Sequence, residues 1–499
     1  MQKILIIGDH PLAKYLIQEY KKCECVVNYY PKIKEEISGG IDCEELVLLA
    51  NIAGMSDIEA DNDVIAQLGH IASYICDGRQ RIVCHLLLRS NETLQRVQLF
   101  GFCEAIRKKL DVYPFTMEDV WSRTIKLDRE PITLESEKHV HLVVIGISEM
   151  AKMVAIQSAL VAHYPNYIRD HSKKTRITII AKDIELLRKD FIRRYQHLFD
   201  NCYYRIVIPT ETKPVSTFHK PMYEGEMEDF VDVEWEFVEA SIDNQVVREK
   251  FQMWATDRKQ LLTIVMAHSE GTHNVSEALV LPDHIYQNNI PIYIYTPQSI
   301  VFTICPNMIP FGMQNCGYDI SLPLVNMAKN VNYIYHCCYE DNIENWTGHI
   351  RNVIEIDKEV RENLWEQLSN IKRMSCVYHA MTIVTKMRSI GIEEDDWNDF
   401  YDISKQDLDV IAQVEHNRWS VEELLLGWRP CTKDEQMKVE ADITLKNEFK
   451  KRKIHYDLRA YHDLRPDETG KPVEIYDICL CSCLPLIAKT FVEEKGGDA

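Results

Sequence analysis

The chain has 499 residues, too many for one compact core and enough for two or three domains of ordinary size. Lys and Arg total 57 against 77 Asp and Glu, a formal net charge of −20, which excludes a phosphate-tracking surface over most of the chain and with it generic nucleic-acid binding. With 46% hydrophobic and 27% charged residues and only 18 each of Gly and Pro, collagen-like, disordered and coiled-coil classes are excluded too.

The first element is a strand. Lys3 to Ile7 is a β-branched and apolar run that ends at Gly8, after which Leu12, Ala13, Leu16 and Ile17 follow at helical spacing, so the chain opens as strand, tight turn and helix. Further strand-like runs fall at 25–28, 45–50, 81–88 and 112–115, with a helix at 61–75. A charged stretch with Pro131, from Asp128 to Lys138, reads as a linker. His141 to Ile145 then repeats the opening, reaching Gly146 and continuing through Met150, Ala151, Val154 and Ala155, with later runs at 176–181, 235–240, 261–267 and 290–295. Short apolar runs separated by helices indicate parallel strands buried on both faces. The expected fold is therefore α/β, two tandem doubly wound Rossmann-like domains over 1–130 and 139–325. Helical periodicity replaces the strands beyond this point, giving a helical connector over 326–400 and an all-helical domain over 401–499. Within it, 395–401 reads as an acidic surface loop and 446–453 as a basic, solvated helix face.

The sixteen cysteines include no C-x-x-C pair, the usage of reduced cytosolic thiols, so no disulfides are expected. The N-terminus enters its first apolar run at once, without the arrangement of a secretory signal. The longest apolar stretch, 478–488, contains a Pro and is shorter than the roughly 18 residues that span a bilayer. A soluble cytoplasmic chain is expected, with any membrane role exercised through a partner such as a transporter.

A glycine at a strand-to-helix turn lets backbone N–H groups and a helix N-terminus face a pyrophosphate, and the full pattern is G-x-G-x-x-G/A. The two turns here are Gly8-Asp-His10-Pro-Leu-Ala13 and Gly146-Ile-Ser148-Glu-Met-Ala151. Both lack the middle glycine, and His10 crowds that position in the first. An acid that holds ribose hydroxyls belongs at the end of the second strand. The first half has none there, whereas the second has Asp183. NAD(H) or another adenine nucleotide is therefore placed on Gly146, Ser148, Ala151 and Asp183, with His273 from the loop that also carries His268. The alternative is a scaffold that binds nothing. These turns, the Asp61-Asn62 helix start and Gly271-Thr-His273-Asn274 resemble the nucleotide-binding domains of Trk/RCK-type potassium-uptake regulators. That resemblance, over about residues 1 to 320, implies a ligand-sensing fold that forms a homodimer or higher homo-oligomer.

The helix through 408–426 carries charges in its apolar stripe. Leu408, Val410, Ile411, Val414, Val421, Leu424 and Leu425 share one arc, and Glu415, Arg418 and Glu422 fall inside it. Buried charges must be paired or face a cavity. They form either an internal Glu-Arg-Glu network or a pocket in which Arg418 meets a phosphate or carboxylate while Trp419 or Trp428 stacks a base.

Glu415-His416-Asn417-Arg418-Trp419, Gly427-Trp428, Lys453 to Leu458, Tyr461, Tyr476-Asp477 and Leu484-Pro485-Leu486 together resemble the RyR domain, the repeat module of ryanodine receptors that also occurs in bacterial chains behind Trk-like domains. The resemblance covers about 405–490 and implies a pocket for a nucleotide-like small molecule, carried over to Glu415, Arg418, Trp419, Trp428, His455, Asp457, Tyr461 and Asp477. The aromatic members can equally serve the core. Neither a zinc-protease, hydrolase-elbow nor P-loop motif occurs, and the Cys479-Leu-Cys481-Ser-Cys483 spacing suits buried helical thiols, so no metal centre is expected. The function expected is that of a nucleotide or second-messenger sensor acting on an effector or transporter, as in ion-transport regulation or antiviral defence. The alternatives are an NAD(P)-dependent oxidoreductase and a non-binding scaffold.

Overall fold

The computed structural model describes residues 1–32, 41–51, 54–76, 81–210, 214–223, 229–297, 305–313, 317–340, 356–393, 403–466, 470 and 472–488. The fold is mixed α/β with two parallel sheets. In the first, β1 (Lys3–Ile7), β2 (Val26–Tyr30), β3 (Glu45–Leu49), β4 (Ile82–Leu87) and β5 (Leu110–Phe115) lie in the order β2-β1-β3-β4-β5. Every residue of β3 is buried, as the apolar run Leu46 to Leu49 requires of a central strand covered on both faces. Helices α1 (Leu12–Lys22), α2 (Asp57–Tyr74), α3 (Asn91–Phe100) and α4 (Met117–Ser122) belong to this half.

The second sheet contains β6 (His139–Ile145), β7 (Thr175–Ala181), β8 (Tyr204–Ile208), β9 (Val215–His219), β10 (Val233–Glu239), β11 (Gln260–Met266), β12 (Ile292–Tyr295) and β13 (Met308–Phe311). Its order is β13-β12-β11-β6-β7-β10-β8-β9. Without the β8–β9 hairpin this is the 3-2-1-4-5-6 arrangement of a dinucleotide fold, whose switch point lies between β6 and β11. Helices α5 (Glu149–Val161), α6 (Ile184–Arg194) and α7 (Gly271–Ala278) follow β6, β7 and β11.

Strands β8, β9 and β13 escape the sequence reading because they lack continuous apolar runs. β9 is largely exposed at the sheet edge, and β13 carries Pro310, which an edge strand tolerates. The start of α2 is also corrected. Ser56 and Glu59 form a capping box, so the helix begins at Asp57, and Asp61 sits one turn inside it. There the fully buried Asp61 accepts the backbone N–H groups of Arg89 at 2.7 Å and Ser90 at 3.0 Å. It ties two segments together. Asn274 does the same in the second half, as described below.

The C-terminal part contains α8 (Pro323–Glu340), α9 (Lys358–Gln367), α10 (Asn370–Met381), α11 (Ile383–Ser389), α12 (Lys405–Leu425), α13 (Leu445–Lys450) and α14 (Ile475–Ser482). It is not wholly helical: β14 (Arg429–Pro430) pairs with β15 (Ile454–His455). Cys479, Cys481 and Cys483 are buried in its core with Trp365 and Ile411. The expected loop at 395–401 lies outside the described residues. No helix among the described residues is long and apolar enough to cross a membrane.

The parts share an interior. Ile4, Ile6 and Leu49 of the first sheet join Leu142 and Val144 of the second and Val421 and Leu424 of α12 in one apolar cluster. Helix α10 is pinned to the first half by Arg373 Nη1 on Asp111 Oδ1 at 2.8 Å and by Asn370 Nδ2 donating to the Val97 carbonyl at 3.3 Å. Asp128, at the start of the charged linker, accepts from Thr385 at 2.8 Å and lends its carbonyl to Arg388 at 3.0 Å.

Candidate functional site

The two glycine turns are already filled from within. A Cβ on Gly8, at φ +127°, would lie 2.1 Å from the Leu49 carbonyl oxygen, and His10 Nδ1 accepts the Leu12 N–H at 3.1 Å at the mouth of α1. His10 thus takes the place a phosphate would need. Burial, then Arg89, lowers its pKa to about 4, so the ring is neutral near pH 7.

In the second half, Gly146 has φ +118°, and a Cβ there would meet the Ala267 carbonyl at 2.8 Å and the His268 nitrogen at 3.0 Å. Ser148 caps α5 by accepting from the Ala151 N–H at 3.2 Å, and its hydroxyl donates to the Ala267 carbonyl at 2.5 Å. Two groups that would face a phosphate are therefore engaged by the protein. Ala151 is fully buried, and Asp183 stands exposed at the carboxyl end of β7 without capping α6. The predicted residues do gather at the carboxyl edge of the sheet, but the crevice between β6 and β11 is drawn shut at Ser148.

Helix α12 carries the internal Glu-Arg-Glu network, with Arg418 at the edge of a cavity. Glu415, Arg418 and Glu422 are 2%, 1% and 1% exposed. Arg418 Nε and Nη2 each lie 2.9 Å from Glu415 Oε1, and Nη1 donates to Glu422 Oε2 at 2.7 Å. Lys386, from α11, also binds Glu415, and Ser375 Oγ donates to Glu422 Oε2 at 2.9 Å. Burial opposes ionisation of Glu415, but Arg418, His379 and Lys386 hold its pKa well below the ordinary range. For Glu422 burial prevails over Arg418, and the pKa is raised.

Through Arg418, Ser375 and His379 this network reaches the floor of a cavity of about 780 Å³. Its walls come from α8 (Asn332, Tyr335), α10 (Lys372, Ser375, Cys376, His379), α12 (His416, Arg418, Trp419, Glu423), α13 (Lys446, Asn447, Lys450) and α14 (Tyr476, Asp477), with Trp428, His455 and Asp457 closing the end. Of the residues predicted from the RyR resemblance, Arg418, Trp419, Trp428, His455, Asp457 and Asp477 line it. Glu415 lies beneath the floor. Tyr461 stands behind the wall, its ring 5.7 Å from that of His416.

Trp419 and Trp428 each meet the His455 ring edge-on, at 5.0 and 5.6 Å between centroids. This makes a contiguous aromatic surface at one end. His455 Nδ1 accepts the Asp457 N–H at 3.2 Å, so the neutral ring carries its proton on Nε2. Asp457 is held by Lys446 at 2.9 Å. His416 Nε2 donates to the Arg459 carbonyl at 2.8 Å, with Nδ1 3.5 Å from Asp477. Burial lowers the His416 pKa, but Asp477 and that carbonyl outweigh it and the net direction is upward.

Four permanent cations line the cavity, Lys372, Arg418, Lys446 and Lys450, with three carboxyl groups, Glu423, Asp457 and Asp477. Burial, then Glu422, raises Glu423 to about 8, so near neutrality it is mostly uncharged. A chain of net charge −20 thus places four basic side chains around one aromatic-walled space. Of the basic segment read as a solvated helix face, Lys446 and Lys450 belong to this wall, while Lys451, Arg452 and Lys453 are exposed. The signal was the i, i+4 spacing of Lys446 and Lys450, which places both on one side of α13. His379, Lys372 and Glu423 had no local signal. His379 is 1% exposed, lines the cavity, and its Nε2 has no hydrogen-bond partner among the described residues.

Burial lowers both His379 and His455 to about 4. In the unfolded chain they protonate near 6.5, so between pH 6.5 and 4 the unfolded state binds the extra protons. Stability should fall as pH drops through that window, by about 2–3 kcal/mol per histidine near its lower end. Urea unfolding at pH 7 and pH 4.5 measures this. His379→Gln should have a shallower fall than the wild type, and identical slopes would remove His379 as a cause.

Comparison with models of protein families, with curated proteins and with solved structures gave no match.

Proposed function

We propose that the chain is a nucleotide-responsive regulatory protein whose ligand, an anionic molecule bearing an aromatic base, binds in the cavity over α12. The observation that carries this reading is the convergence of Lys372, Lys446 and Lys450 with Trp419 and Trp428 around one cavity. Cations suit phosphates, and aromatic faces suit bases. Arg418 serves as the charged floor, its donors directed to Glu415 and Glu422, which leaves anion contact to the lysines. The likeness of 405–490 to the RyR domain supports the same ligand class. Helix α10 offers the route to a response, since Ser375 and His379 face the cavity while Arg373 and Asn370 of the same helix hold β5 and α3 of the first half.

The tandem sheets then act as scaffold and as the surface of the proposed homodimer. The engaged Ser148 hydroxyl weighs against a dinucleotide at the second glycine turn. Native mass spectrometry of the purified chain, followed by calorimetry with NAD, NADH, ATP, ADP-ribose and cyclic nucleotides, tests the reading. A phosphorylated nucleoside should bind, and Trp428→Ala should weaken its binding by about 1–3 kcal/mol. Binding of NAD alone, unaffected by Trp428→Ala and lost in Asp183→Ala, would favour the oxidoreductase reading. No binding to any nucleotide would favour the scaffold.

A further inference from the structure

The carboxyl edge of the second sheet carries a cluster that neither the cavity nor the glycine turn uses. Glu277 Oε2 lies 2.7 Å from His268 Nε2, and Oε1 lies 3.4 Å from His273 Nε2. One ligand atom from each of the three residues lies within 4.8 Å of the other two. The imidazole centroids are 4.6 Å apart with planes at 64°, so both rings turn toward the same carboxylate. A tetrahedral zinc ion with bonds of about 2.0–2.1 Å needs its ligand atoms about 3.3 Å apart. Small side-chain rotations bring this set to that spacing.

The backbone is built to hold the set in place. All three side chains come from one ten-residue stretch, and Asn274 clamps it. The Asn274 side chain is fully buried, accepts the His268 N–H at 2.8 Å, and donates to the carbonyls of His268 at 2.9 Å and Tyr295 at 2.9 Å. His268 is thereby fixed against the first turn of α7, which carries His273 and, four residues on, Glu277. The side chains remain reachable from solvent, at 26%, 50% and 18% exposure.

We infer that His268, His273 and Glu277 bind a divalent transition-metal ion of the zinc type. Two imidazole nitrogens and one carboxylate oxygen suit zinc far better than calcium or magnesium, which prefer oxygen alone. Three protein ligands leave a fourth position for water or a ligand oxygen. It lies on the loop against which the Gly146 turn packs, at the switch point of the sheet. This site is independent of the cavity over α12, and either can exist without the other.

The full-length chain should take up one equivalent of zinc in competition with a chromophoric chelator. Cobalt bound in its place should give ligand-field bands without thiolate charge-transfer absorption, which separates this site from the exposed cysteines Cys23, Cys76 and Cys103. Glu277→Gln and His268→Gln should each weaken zinc at least about tenfold, the scale on which even supporting residues of metal sites act. Their circular dichroism and metal-free melting temperature should match the wild type. Should either variant fold poorly, His273→Gln, at a half-exposed position, carries the same expectation. Absence of zinc binding, undiminished binding in the variants, or cobalt spectra of thiolate type would each overturn the assignment.

Discussion

Arg418→Met should lower the free energy of unfolding by about 3–5 kcal/mol, the cost of leaving buried carboxylates uncompensated. Methionine keeps much of the aliphatic volume, so the loss reports on charge and hydrogen bonding more than on packing. It should fall unequally on the two acids. Glu415 retains Lys386, whereas Glu422 retains only the Ser375 hydroxyl on Oε2, and its Oε1 has no hydrogen-bond partner among the described residues. Adding Glu422→Gln should therefore recover about 1–2 kcal/mol, because a neutral amide is cheaper to bury than an unpaired carboxylate. Urea denaturation at pH 7 of the wild type, the single and the double variant gives the comparison. A single-variant loss below about 1 kcal/mol would show that the network does not hold α12 in place.

The second large effect concerns ligand affinity. Replacing both Lys372 and Lys450 by Gln should weaken the tightest-binding nucleotide of the panel by about 2 kcal/mol or more, since each charge-assisted contact to a phosphate is worth about 1.5–3 kcal/mol. Lys446 is left intact because its ion pair with Asp457 supports the wall. Trp428→Ala should cost about 1–3 kcal/mol of binding through lost stacking. The lysine pair should show a shallower salt dependence than the wild type, whereas the Trp428 variant should keep the wild-type slope. Calorimetric titrations at two salt concentrations separate these outcomes. Unchanged affinity in both variants would place the ligand elsewhere.

Much of the α/β layout is readable from residue order because parallel strands buried on both faces appear as unbroken apolar runs, as at Leu46 to Ala50. What escaped notice was the sheet margins. β9 is mostly exposed and lacks both an apolar run and a regular alternation, and β13 contains a proline, so neither looks like a buried strand. The charged stripe of α12 was legible for a different reason: a helix of 21 residues gives the 3.6-residue period room to show Glu415, Arg418 and Glu422 on the apolar side. Sequence could not show what that stripe faces. His379, Lys372 and Glu423 reach the cavity because α10 and α12 pack together, and tertiary packing has no local period. Lys446 and Lys450 sat in a six-residue helix, too short for periodicity to tell a solvated face from a lining one.

The claim on which the account rests is that ligand enters the cavity over α12 and not the crevice at Gly146. Hydrogen–deuterium exchange of the full chain, with and without the bound nucleotide, tests it most directly. Short, partly exposed helices open readily and respond strongly to a bound ligand. The account predicts slower exchange in α13 (Leu445–Lys450), in the β15 segment around His455 and in α10, with Gly146 to Ala151 unchanged. Protection confined to Gly146–Ala151 and the strand end at Asp183, with α13 and α10 unaffected, would contradict it.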